Sequence, residues 1–246
     1  MSPEEWVAVV GSEYLDTYVR QGGAAVKFAA ASTDAGRAEL RERLAAAAEA
    51  HGFQLAILDA TEVRLHLIDR LFHAVARQVD WDSLARTFVE RLLRARGLRL
   101  PPPPEPLSAS RLAELNAAPE ELLRNDLRRA LEHELFEDYA MNREFRLAML
   151  ALCTAQLDPT DNPALQAAIK AWLRGELRLV SEVKRALIFR KIARHNARHM
   201  LFSLAHWLTL AGKSGLLLVL DVARYAEAVR PAERRRRQLL QHVRHY

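Results

Sequence analysis

The chain has 246 residues, 50% of them hydrophobic and 27% charged, with a formal net charge of +5 and a pI near 9.6. That composition supports a packed globular core. The single Cys153 excludes an internal disulfide, and no apolar run approaches the roughly 18 residues of a membrane span. The start, MSPEEWVAVV, has no signal-like apolar stretch, so the chain reads as soluble, cytoplasmic and bacterial. The basic balance permits an anionic partner without requiring one; 31 of the 36 basic residues are Arg, a bias that base composition alone can produce.

The elements follow in chain order. Ser2-Pro3-Glu4-Glu5 has the residues of a capping box with Pro in the first turn, and the helix it opens runs to Gly22-Gly23. AAVKFAAAS, 24–32, has the length and apolarity of a strand. GRAELRERLAAAAEAHG predicts a helix ending at Gly52, and FQLAILDAT, 53–61, a second buried strand. Strand, loop, helix, strand is the pattern of a parallel sheet. Two further segments, VRLHLIDRLFHAVARQV and WDSLARTFVERLLRARG, carry apolar residues at helical spacing. The run PPPPEP, 101–106, predicts a stiff, extended connector. From Ser108 to about Ala211 nearly everything reads helical, and LLLVLD, 216–221, is again a buried strand.

Gly212-Lys213-Ser214 has the letters that close a phosphate-binding loop. Such a loop needs a strand before it and a helix after it, so that helix N–H groups face the phosphates. Here the order is reversed, which predicts a helix-terminating turn. The strand that follows ends in Asp221, as does a Walker B strand, whose Asp holds the magnesium shell of a nucleotide. A phosphate loop belonging with it would lie between Phe28 and Glu39, where the sequence is AASTDAGRAEL.

Several patches, taken in order, carry a family resemblance: GGAAVKF before the loop, HGFQLAILDAT at the second strand, WLRGE at 172–176 and LAGKSGLLLVLD at 210–221. On these the chain resembles the P-loop ATPases of the BREX phage-defence systems, a branch near the AAA and origin-recognition ATPases. The resemblance implies a P-loop NTPase-like α/β fold with a parallel sheet and a large helical insertion. Residues 1–100 would begin the core, 101–107 form the linker, 108–200 the insertion, and 201–246 the Walker B-like strand and a basic end. It also implies ATP and Mg²⁺ as ligands and other phage-defence proteins as partners.

The family loop, G-x-x-G-x-G-K-[ST], falls on residues 31–38. Ala31 and Asp34 replace two of its glycines, and Gly36 alone matches. Arg37 stands for the Lys, and Ala38 replaces the hydroxyl that would ligate Mg²⁺. After Asp221, Val222 replaces the acidic residue that polarises water. These departures imply weak or absent nucleotide binding and little hydrolysis. The resemblance further implies a strand between the first strand and that of Asp221, supplied after Asp221. No apolar run follows there, so the sheet reads as incomplete and the chain as part of a longer protein.

A second reading is a non-enzymatic DNA-binding or adaptor module. Arg234, Arg235, Arg236 and Arg237 form the densest charge run, suited to phosphates or to a solvated helix face. The series Arg185, Arg190, Lys191, Arg194 and Arg198 would cross a DNA backbone or pair with the acids of LRRALEHELFEDY. His195 and His199 share a helical face without an evident third metal ligand. His66, Asp69 and His73 share the face of a helix that reads as packed. Trp6, Trp81, Trp172 and Trp207 read as core anchors.

Overall fold

Ser2 opens helix α1 (Pro3–Val9) through a reciprocal cap. Its Oγ accepts from the Glu5 N–H at 3.2 Å, and the Glu5 carboxylate accepts from the Ser2 N–H at 2.8 Å. The chain continues in wider, π-type turns over Val10–Tyr18 and reverses at Gly22, at a φ of +88°. The structure, a computed structural model, describes residues 2–31 and 33–223.

The strand expected over 24–32 does not form. Residues 24–31 run without a strand partner among the described residues, with Val26 79% and Phe28 91% exposed. Five of these eight residues are Ala, which is depleted in strands. Without a neighbour to take its N–H and C=O groups, an apolar run gains nothing by becoming a strand.

Thr33 then caps α2 (Asp34–Ala50), accepting from the Gly36 N–H at 3.0 Å. The other two expected strands do form. β1 (Phe53–Asp59) and β2 (Gly215–Asp221) pair in parallel, from Phe53 opposite Gly215 to Asp59 opposite Asp221. Alternation along each strand sorts the side chains. Phe53, Leu55 and Leu217 face a small cluster with Val10, Leu15 and Ala48. Ala56, Leu58, Leu216 and Leu218 join the main core instead. Helices thus cover both faces, as parallel strands require.

The main core is helical. It draws on α3 (Ile68–Ala76), α4 (Trp81–Ala95), α5 (Ala109–Leu115), α6 (Glu120–Phe136), α7 (Arg143–Leu157), α8 (Pro163–Arg174), a 3₁₀ segment at Val180–Ala186, and α9 (Arg194–Leu210). Trp81, Trp172 and Trp207 are buried in it, and Trp6 packs partly buried on the smaller cluster. His73 is buried with its Nδ1 3.0 Å from the Leu173 carbonyl, a packing role; His66 lies before α3 rather than on it. The proline run is not an extended connector. The Glu105 N–H returns to the Pro102 carbonyl at 3.0 Å, the Glu105 carboxylate accepts from Arg111 at 3.0 Å, and Leu107 is buried. Apolar neighbours and one ion pair fold the stiff run back onto the core.

Candidate nucleotide site at the strand ends

The glycine–lysine–serine turn ends a helix, as its position predicts. Gly212 has a φ of +90°, and the Lys213 N–H donates back to the Leu208 carbonyl at 2.8 Å. The Ser214 N–H is taken by the Gly52 carbonyl at 2.9 Å. Arg91 donates to the carbonyls of Thr209 and Leu210 at 3.2 and 2.6 Å. This is the carbonyl end of α9, where the helix field favours a cation over a phosphate.

The carboxyl ends of the two strands bring Asp59 and Asp221 side by side. Asp59 Oδ1 accepts from the N–H and hydroxyl of Thr61, at 2.8 and 2.6 Å. Asp221 is ion-paired with Arg41 of α2, and its Oδ1 accepts from the Ala223 N–H at 3.0 Å. The Asp221 side chain is only 13% exposed, that of Arg41 41%. The neighbouring Val222 is exposed.

The loop residues gather at the N-terminus of α2. Arg37 turns back onto Asp34 in an ion pair, with Asp34 77% exposed. The Gly36 N–H is used by Thr33, and Ala31 and Ala38 flank the turn without polar side chains. No hydrogen bond or ion pair among the described residues joins 31–38 to Asp221; Arg41, one turn beyond Arg37, makes that link. Arg41 is the residue that the sequence reading missed. The available signal was its spacing of four from Arg37, which sets both guanidinium groups on one face of α2.

Arg234 to Arg237 lie outside the described residues. His195 and His199 stand exposed on α9, and no cluster of three or more His, Cys, Asp or Glu side chains suited to a metal forms among the described residues. No helix among them is long and apolar enough to cross a membrane. A cleft of about 330 Å³ lies elsewhere, between α6, α7, α8 and the 3₁₀ segment, bordered by Arg128, Phe136, Leu150, Gln166 and Arg185.

Two parallel strands ending in paired aspartates, beside a helix entered from a loop and backed by a large helical core, define a helix-rich α/β protein with its candidate site at the strand ends. The family model described as BREX system ATP-binding protein BrxC/D matches residues 12–245, and the chain belongs to that family. No curated protein and no solved structure matches it.

Proposed function

We propose that this chain is a P-loop NTPase-fold subunit of a BREX system whose phosphate loop is degenerate. It turns over little or no ATP and serves as a nucleotide-responsive or structural partner of other BREX proteins. The family's description as ATP-binding supports the nucleotide part of this reading. Residues 1–100 and 201–246 would contribute the NTPase-like core and 108–200 its helical insertion, with 101–107 between.

One observation carries the proposal: the carboxylate at the Walker B position is engaged by Arg41. A carboxylate that serves a magnesium shell must present its charge to the metal, and a guanidinium competes directly for it. The donor set fits Mg²⁺-ATP poorly in other respects. Arg37 is engaged by Asp34, Ala38 offers no hydroxyl, and the exposed Asp34 puts negative charge where phosphate would approach. Loss of a single preorganised electrostatic group costs roughly 10²–10³ in rate. With several changed together, no catalytic step is assigned to this site.

The test is calorimetric titration with ATP, with and without Mg²⁺, on the chain and on Arg37→Ala, together with a phosphate-release assay. The expected result is no gain in affinity from Mg²⁺ and release at background. Nucleotide affinity that disappears in Arg37→Ala would mean that the altered loop still holds phosphate, the nucleotide-responsive form of the proposal. Mg²⁺-dependent binding with steady release abolished by Asp221→Asn would overturn it.

A further inference from the structure

Outside the stretch from Leu177 to Ala205, eleven of the nineteen described arginines are matched with acids. Arg86, Arg94, Arg111, Arg124 and Arg128 each pair with a Glu on their own helix or a neighbouring turn. Between Leu177 and Ala205 this changes. Seven Lys and Arg residues occur there with one acid, Glu182, whose carboxylate accepts from the Leu179 N–H. All seven are exposed. Arg190 alone has an acidic neighbour, Glu144, at 4.0 Å. Arg178, Lys184, Arg185, Lys191, Arg194 and Arg198 make no ion pair among the described residues. Of the acids of LRRALEHELFEDY that were candidates for this series, Glu132 pairs with Arg128, Glu137 with His133 and Asp138 with His206, and Glu134 forms no ion pair with any of the seven among the described residues.

The same stretch of chain exposes aromatic rings. Phe202 is 60% and Phe189 56% exposed. Arg194, Arg198 and Phe202 follow one another at four-residue spacing on the outer face of α9, while Ala197, Met200 and Leu204 fill its buried face. The Arg198 guanidinium lies 5.7 Å from the Phe202 ring centre. Unmatched cations in line with exposed rings are the two components of a single-strand nucleic-acid platform: the charges meet phosphates and the rings stack on unpaired bases.

We propose that the outer face of α9, with the adjoining 178–191 segment, binds single-stranded nucleic acid. Phosphates lie along Arg194, Arg198 and the neighbouring cations, and bases stack on Phe202 and Phe189. A duplex keeps its bases stacked inside and would leave these rings without partners. An anionic membrane would require an apolar face separated from the charges. Here the exposed Phe202 continues the line of Arg194 and Arg198 on one stripe, and the apolar face of α9 is already buried. The proposal does not depend on the nucleotide reading.

Fluorescence anisotropy with a labelled oligothymidylate of about 20 nucleotides, long enough to span several contacts, tests this on the full chain across a KCl series. The unmodified chain should bind, with log K falling linearly in log salt. The double change Arg194→Ala and Arg198→Ala should reduce that slope by about 1.4, or about 0.7 for each lost phosphate contact. Phe202→Ala should weaken binding roughly 5- to 100-fold with the slope unchanged, and Phe202→Trp should retain it. Circular dichroism would verify that each variant is folded. The proposal is overturned by absence of binding at low salt, by a slope and affinity indifferent to both changes, by a duplex of equal length binding as tightly, or by Phe202→Ala impairing only attachment to anionic vesicles.

Discussion

At the scale of single residues, the pair Arg41–Asp221 decides how the strand end behaves. The carboxylate is mostly shielded, and the guanidinium is more than one-third exposed, so solvent weakens the attraction. Arg41→Ala should therefore destabilise the fold by only about 1 kcal/mol, mainly because it strips a shielded carboxylate of its partner. The check is a urea midpoint shifted down at an unchanged m value, combined with Asp221→Asn in a double-mutant cycle. Strictly additive effects of the two changes would show that the pair contributes nothing. Asp221 was legible in the sequence because a carboxylate closing an apolar strand is a local pattern. Arg41 was not, since its partner lies 180 positions away and no periodicity records such a contact. The reversed order around Gly212-Lys213-Ser214 was legible for the opposite reason. A helix before and a strand after are both local features, and together they set the direction of the N–H groups.

At the scale of elements, local patterns succeeded where neighbours agreed with them. The capping box of α1, the glycine stops and the two strands at 53–59 and 215–221 all formed. The Ala-rich run at 24–31 and the proline run did not follow their local signals, because pairing in one case and packing in the other are set by distant residues. The C-terminus of α8 shows the same dependence in a testable form. Gly175 has a φ of +74°, and a Cβ there would approach the His73 ring to 2.7 Å. Gly97 ends α4 at the same φ of +74°, with nothing within 4 Å of such a Cβ. Both Gly→Ala changes incur the left-handed backbone cost of about 1–2 kcal/mol. Gly175→Ala adds the displacement of a buried ring that also contacts the Leu173 carbonyl, a further overpacking cost of about 1–3 kcal/mol. Thermal unfolding of the two variants separates the terms. Equal losses would show that the His73 ring gives way without cost.

At the scale of the whole molecule, the strands divide two unequal bodies of packing. On one side lies a core that runs from Ala56 to Ala211 and contains Cys153, wholly buried, with its thiol pKa pushed well above the ordinary range by loss of hydration. On the other, the α1–α2 layer rests on a cluster of four buried residues, Val10, Leu15, Ala48 and Phe53, with Val7 and Leu44 also buried in those helices. The free energy of opening a region follows the apolar surface it must expose. The α1–α2 layer should therefore open without the core, while Cys153 becomes reactive only on global unfolding, since thiolate chemistry needs both access and a lowered pKa. Native-state hydrogen exchange should show amides of α2 exchanging through openings that cost less than those of α7 and α9. In the same solution, labelling of Cys153 by a thiol reagent should proceed at the slow rate of the α7 and α9 amides and rise with urea in parallel with them. If α2 exchanged only with the global event, the two bodies would form one cooperative unit. If Cys153 were labelled at the pace of α2, the small cluster would be holding the large core closed. Neither result agrees with the unequal burial on the two faces of the sheet.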